Sequence, residues 1–194
     1  MSAVTEPVSK SQPVSESKTD LTLAVGALVV YGSYGIGTIL RRQKENSEGA
    51  TGEMVVIEFA NGLSVTLPVD RASACLRPLS GKTEVAAVAK TLRAKGVTED
   101  DSWQRRTKTA KGKLVAGDAV ALAEIVRNAF RRDGQATPSG GVIKLSAYER
   151  ELYLEARQLL AAELGISKGV DEQAADAWIG EQLEQDREST PALV

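Results

Sequence analysis

The spacing of apolar residues changes at Gly81, and that change divides the chain into two kinds of structure. Before it, apolar and polar residues alternate. Val55, Ile57 and Phe59 form one such run; Leu63, Val65 and Leu67, set against Ser64 and Thr66, form another. Successive side chains of a strand point to opposite faces, so this alternation predicts half-buried strands. After Gly81 the apolar residues fall three and four apart, as in Val85, Val88 and Leu92, which is the stripe of an amphipathic helix.

The alternating part predicts five strands: Leu23 to Tyr31, Ile36 to Arg42, Met54 to Phe59, Leu63 to Val69, and a closing run from Cys75 to Leu79. Gly32-Ser33-Tyr34-Gly35 reads as a turn and Asn46 to Gly52 as a polar loop. Asn61-Gly62 predicts a tight type I′ hairpin. Pro68 has no amide hydrogen to give a ladder and belongs at a strand end or edge. Gly26, Gly35 and Gly37 are assigned to turns; no strand–turn–helix stands behind them, so they are not a nucleotide-binding fingerprint. Five short strands in so small a span predict a bent barrel.

The helical part begins with a helix from a Thr83 cap to Lys95, followed by a connector over Val97 to Asp101. Ser102 or Asp101 caps the next helix, Trp103 to Val115, which Gly117-Asp118 ends. In the helix Ala119 to Asp133, Val120, Ala123, Ile125, Val126 and Phe130 form the apolar side, and Arg127, Arg131 and Arg132 are expected to leave it. Gly134 to Ile143 reads as a flexible loop. Ser146-Ala147-Tyr148-Glu149 is a capping box, in which hydroxyl and carboxylate satisfy each other's orphan amides; its helix is expected to end at Gly165. Asp171 caps a last helix through Leu183, with Trp178 expected in the core among Ala174, Ala175 and Ala177. The fold class is thus α+β: an N-terminal small β-barrel over residues 21–80, then a C-terminal all-helical bundle over 81–186. Residues 1–20 are too polar to offset ordering entropy and are expected to be a disordered tail, with a second polar tail over 187–194.

Composition removes most catalytic chemistry. The chain has no histidine, which excludes Ser-His-Asp and Cys-His nucleophiles and His-ligated metals. Cys75 is the only cysteine, so there is neither an intramolecular disulfide nor a thiolate zinc site, and a reducing compartment is expected. Most Asp and Glu residues are assigned to solvated helix faces. An enzyme is therefore the least favoured class, and no cofactor or metal is expected. No apolar run approaches the roughly 20 residues of a membrane span, and no secretory h-region is visible, so a cytoplasmic protein without membrane contact is expected.

Net charge is −2, but the charges are segregated. Arg105, Arg106, Lys108, Lys111 and Lys113 crowd one helix, whereas residues 151–194 carry mostly carboxylates. A basic middle and an acidic end suggest a local electrostatic footprint. Trp103 opens the basic helix, in Ser102-Trp103-Gln104-Arg105-Arg106. A helical Trp is commonly a core residue, but the polar positions that follow argue for an outward ring. An exposed indole beside cations can touch phosphates and a base step together.

The order of these pieces resembles the CarD/CdnL family of bacterial transcription regulators. The resemblance is carried by Val25 to Tyr31 with Gly35-Ile36-Gly37, by Leu67-Pro68-Val69 and Leu76-Arg77-Pro78-Leu79, and by the Trp-x-Arg-Arg signature at Trp103 to Arg106. It continues through Gly117-Asp118, Ala123 to Asn128, Arg131-Arg132-Asp133, Ala156 to Leu160 and Glu163-Leu164, and covers about residues 21–185. It implies a Tudor-like barrel that binds the RNA polymerase β subunit, with Thr66, Arg42, Lys44 and Pro68 as polymerase-binding residues. It also implies a helical domain that lies on promoter DNA, contacting it through Trp103, Arg105, Arg106, Lys108, Lys111, Lys113 and Arg150. The resemblance implies that the tryptophan wedges into the minor groove at the upstream edge of the bubble and hinders its collapse; a nucleoid-associated monomer is expected.

Four places depart from the family pattern. Gly32-Ser33-Tyr34 lacks the usual Pro and His, Thr66 stands where many members carry an arginine, Thr107 replaces a common Tyr, and the Asp133 to Lys144 loop is longer. The alternative is a protein-only adaptor that uses the barrel and the basic helix for protein contacts without DNA.

Overall fold

Val29, Ile39, Val55, Ile57, Phe59 and Leu67 turn inward from four strands and, with Leu23, Ala72 and Leu76, form the core of the N-terminal part. The computed structural model describes residues 23–47, 50–95, 102–136 and 139–185. The expected tails, the whole Val97 to Asp101 connector with the alternative cap Asp101, and Pro138 lie outside the described residues. The strands β1 (Leu28–Val30), β2 (Ile36–Ser47), β3 (Ala50–Phe59) and β4 (Ser64–Pro68) form one antiparallel sheet in sequence order. An N-terminal barrel-like sheet followed by helices is the α+β arrangement expected from the change of period.

Several boundaries differ from the sequence expectation. The first strand spans only β1, because the chain turns at Gly26, where the φ of +84° suits glycine. The described residues of the expected polar loop are instead strand, β2 pairing with β3 out to Ser47 and Ala50. The polar sequence of this stretch has no apolar alternation from which a strand could be read. The Asn61-Gly62 turn is not type I′. Only Gly62 has positive φ, Gly62 N–H donates to Phe59 O at 2.9 Å, and Phe59 N–H donates to Leu63 O at 2.9 Å. That is a three-residue loop closed by a left-handed glycine. Gly37 is not a turn residue but lies within β2, where a Cβ would come within 2.5 Å of Ile57 Cγ2.

The expected fifth strand is also absent. Alanine-rich residues after Pro68 form α1 (Val69–Cys75), which buries Ala72 against the sheet. The chain then touches β1 through one antiparallel bridge, Val30 with Arg77. Leu40 is an extra residue between the Ile39–Ile57 and Arg41–Val56 pairs. Such a bulge reverses which side chains face which way beyond it.

The helices are α2 (Lys82–Arg93), α3 (Trp103–Ala116), α4 (Ala119–Arg132), α5 (Ala147–Lys168) and α6 (Glu172–Glu184). Val88, Leu92, Leu122, Val126, Leu160, Leu164, Ile179 and Leu183 form their shared core. Fully burying each such side chain contributes about 1.5–3 kcal/mol. The α2 cap is Gly81 rather than Thr83, with the Glu84 carboxylate accepting from Gly81 N–H at 3.0 Å. α5 runs past Gly165, which is buried inside the helix, and ends at the left-handed Gly169. Trp178 is half-buried at the margin of the core, with Lys168 Nζ 4.0 Å from its ring centre. Arg127 does not leave the apolar side. It is buried, its Nε donating to Asn128 Oδ1 at 2.8 Å, because α2 packs on a second flank of α4 that a single stripe does not reveal.

The sheet and the helices meet at a polar lock. Arg77, whose backbone pairs with Val30, sends its guanidinium into the helical part, where Nη1 and Nη2 donate to the two Glu163 carboxylate oxygens at 2.6 and 2.7 Å. Glu163 is 1% exposed. Its Oε1 also accepts from the Ser80 N–H at 2.9 Å and from the Ser80 hydroxyl at 2.7 Å. Arg77 Nε donates to Gly117 O at 3.1 Å, at the end of α3. Beside it the turn Gly32–Tyr34 abuts α3 so closely that a Cβ on Gly32 would lie 2.5 Å from Val115 O. Glu163 is thus a buried exception to the expectation that most carboxylates lie on solvated faces. Replacing Arg77 by Met leaves that carboxylate buried without its partner, which costs about 3–5 kcal/mol. Urea unfolding of Arg77→Met is expected to show a loss of about that size; a loss below about 1 kcal/mol would mean that the pair does not hold the parts together.

Candidate nucleic-acid interface

Trp103 is the first residue of α3 and is 46% exposed. Helix geometry alone does not hold it outward; contacts with the start of α5 do. The indole N–H donates to Ser146 Oγ at 3.0 Å. Ser146 is the N-cap of α5, so the same oxygen accepts from Glu149 N–H at 3.2 Å and its hydroxyl donates to Glu149 Oε2 at 2.8 Å. Glu149 completes the capping box by accepting from Ser146 N–H at 3.0 Å. Its other oxygen accepts from Arg106 Nη2 at 3.0 Å. The exposed Tyr148 ring lies 6.4 Å from the Trp103 ring, tilted by 57°. Thr107, at the position of the family's common Tyr, is buried, and its hydroxyl donates to Trp103 O at 2.9 Å.

The cations of α3 divide into two groups. Arg105, Lys108 and Lys111 are exposed at a spacing that keeps them on one side of the helix. Arg106 turns the other way. Only 7% of its side chain is accessible, and it is paired with Glu149. Lys113 Nζ lies 2.7 Å from Glu124 Oε2. Sequence reasoning treated these five cations alike because the acids that pair with Arg106 and Lys113 come from other helices. Arg150 is exposed and borders a hollow with Phe130, Asp133 and Tyr153.

The four sheet residues also fall into two groups. Thr66 opposes Val56, and Pro68 opposes Met54, so both lie on the face that carries Arg41 and Gln43. Past the Leu40 bulge, Arg42 opposes Val55 and Lys44 opposes Glu53, which places them on the other face. Arg42 is held there by Glu53, with Nε and Nη2 donating at 2.8 and 2.7 Å. The hydrogen bond to Glu53 pulls the Arg42 pKa up, and the same bond pulls the Glu53 carboxyl down. Sequence reasoning missed Arg41 and Gln43 because the bulge that reverses the facing has no residue signature.

Residues 87–180 match the family model of the CarD C-terminal domain, and residues 23–80 match that of the CarD-like/TRCF RID domain. The chain belongs to the CarD/CdnL family. It is therefore a transcription-related regulator that interacts with RNA polymerase, in a family of transcription factors rather than enzymes. Among the described residues, no helix is long and apolar enough to cross a membrane, and no cluster of three or more His, Cys, Asp or Glu could hold a metal.

Burial alone would push the Glu149 carboxyl up. The Ser146 N–H, the Ser146 hydroxyl and Arg106 together outweigh it, so the carboxyl sits below its ordinary value of 4.5. A depressed acid stabilises the fold fully above its unfolded pKa, and that contribution is lost as pH falls through the folded value. In a Trp178→Phe background, Trp103 fluorescence anisotropy is expected to stay level from neutral pH and to fall only below pH 4.5. Glu149→Gln is expected to lack that acid step; an identical acid profile in both proteins would show that Glu149 does not hold the site.

Proposed function

We propose that the protein stabilises the open promoter complex, with its sheet domain on the polymerase β subunit and its helical domain on promoter DNA. The exposed indole at the head of a basic helix is the observation that carries this reading. Arg105, Lys108 and Lys111 contact phosphates and set the register. Arg106 is a positioning residue, because its charge is committed to Glu149. Lys113 is likewise committed to Glu124, and Arg150 adds a cation from α5. The cleft between the sheet and α5 presents Glu58, Glu155 and Glu172 with no Lys or Arg in its lining, so charge favours the α3 side for DNA.

On the polymerase side, Thr66 and Pro68 with Arg41 and Gln43 form the contact face, and β4 is a terminal strand of the sheet. A terminal strand offers main-chain groups to which a partner strand can be added. Arg42 and Lys44 serve on the opposite face, where Arg42 stiffens the hairpin through Glu53. One chain acting alone bridges the two partners, and each contact raises the local concentration of the other.

The ring enters a base step that is unstacked only in opening or open DNA. Burying about 100 Å² of apolar ring surface contributes about 2.5 kcal/mol at ~25 cal/mol per Å². Unstacking costs a few kcal/mol, so the indole favours DNA whose step is already open. A preference of about 1.4 kcal/mol for that state shifts opening tenfold. Trp103→Ala is expected to bind polymerase as wild type does and to shorten the open-complex lifetime about tenfold, measured by competitor challenge. An unchanged lifetime would exclude the wedge. Three phosphate contacts give a log–log salt slope for DNA binding of about −3. A slope near zero would leave the basic face to a protein partner instead.

A further inference from the structure

The α5 start supplies two groups to the Trp103 site that the Trp-x-Arg-Arg segment does not contain. We infer that Ser146 and Tyr148 belong to the DNA-facing site: Ser146 is the positioning residue that fixes the Trp103 indole, and Tyr148 is a second ring of the same contact surface. This deepens the wedge reading and rests on it.

The geometry supports both roles. An exposed aromatic side chain at the first residue of a helix has little around it to select one rotamer. Trp103 has one polar donor, and the Ser146 hydroxyl oxygen takes it at 3.0 Å. That oxygen is itself fixed, because it accepts from Glu149 N–H and its hydrogen goes to Glu149 Oε2. A hydroxyl locked in both roles orients the indole more firmly than a freely rotating one would. The residue that caps α5 is therefore also the residue that aims the indole. Glu149 ties the arrangement back to α3 through Arg106, so two helix starts close on each other with the ring between them and solvent. Pre-ordering a side chain before it enters a base step removes an entropic cost from binding.

Tyr148, between Ser146 and Glu149 in sequence, points outward beside the indole. Tyr148 is 36% exposed, and the pair is tilted rather than stacked, so the two rings do not cover each other face to face. Two adjacent rings on a surface with Arg105, Lys108 and Lys111 suit a nucleotide step: one ring meets the unstacked base, and the other meets the neighbouring sugar or base edge.

The test separates capping from aiming. Glycine caps a helix start almost as well as serine but has no hydroxyl, whereas threonine keeps one. In full-length Trp178→Phe protein, Ser146→Gly is expected to lower Trp103 anisotropy and to shorten open-complex lifetime three- to fivefold, with helix content by circular dichroism unchanged. Ser146→Thr is expected to restore both. Tyr148→Ala is expected to shorten the lifetime at least twofold with Trp103 anisotropy retained. Wild-type anisotropy in Ser146→Gly, or wild-type lifetime in both Ser146→Gly and Tyr148→Ala, overturns the inference. Trp103→Ala is run beside them. If it shortens the lifetime while the other variants do not, this inference alone fails; if it leaves the lifetime unchanged, the wedge reading fails and this inference with it.

Discussion

The paired guanidinium and carboxylate of Arg77 and Glu163 set the relation between the two halves of this protein. Arg77 belongs to the sheet by its backbone, which bridges Val30, and to the helices by its side chain. Burying Glu163 would ordinarily be costly, since a carboxylate loses its hydration. Here each oxygen has a charged donor and one has two further donors from Ser80. The complete set of partners is what makes the burial tolerable, and it is also what makes the geometry specific, because a small rotation of one half against the other would strip several bonds at once. Such a pair contributes little to stability compared with an apolar substitute of equal shape, but losing one member is severe.

The same lock fixes α3, the helix that carries the basic face. Its C-terminal end is held by Arg77 on Gly117 O and by backbone contact with the Gly32 turn. A cation there also meets the negative end of the helix dipole. Its N-terminal end is held by the α5 capping box, through the indole and through Arg106. Between these two clamps, Thr107 and Leu114 face inward, and Arg105, Lys108 and Lys111 face solvent. A helix held at both ends can present a wedge at one of them with little motion of its own. The sheet and the Trp103 end of α3 are thus joined through the Arg77 contacts to Glu163 and Gly117.

The two kinds of secondary structure were legible from apolar spacing, because alternation and helical stripes are local properties. Val55, Ile57 and Phe59 were correctly placed on one inner face, and the Ser146–Glu149 box marked its helix start. Features that depend on what packs against a segment were not legible. Cys75 to Leu79 has strand-like residues, yet α1 occupies its first position and leaves a single bridge. Arg127 carries the charge of a surface residue and is buried because a second helix covers it. The site was half visible. Trp103 and its outward aspect came from the polar residues after it, and Arg105, Lys108 and Lys111 from charge crowding. Ser146 was seen as a cap but not as the indole's acceptor, since nothing in the sequence brings residue 146 to residue 103. Arg106 and Lys113 looked equal to their neighbours until Glu149 and Glu124 came beside them. The Leu40 bulge concealed the division of Arg42 and Lys44 from Thr66 and Pro68.

The central claim is that sheet face and basic helix are held in one fixed relation before either partner binds. A pulsed electron–electron distance measurement tests it most directly, with spin labels at Glu58→Cys and Lys108→Cys in a Cys75→Ser background. One narrow distance distribution is expected in the free protein, the same when a polymerase β-subunit fragment is added. A broad or multi-peaked distribution that sharpens only on binding would contradict it.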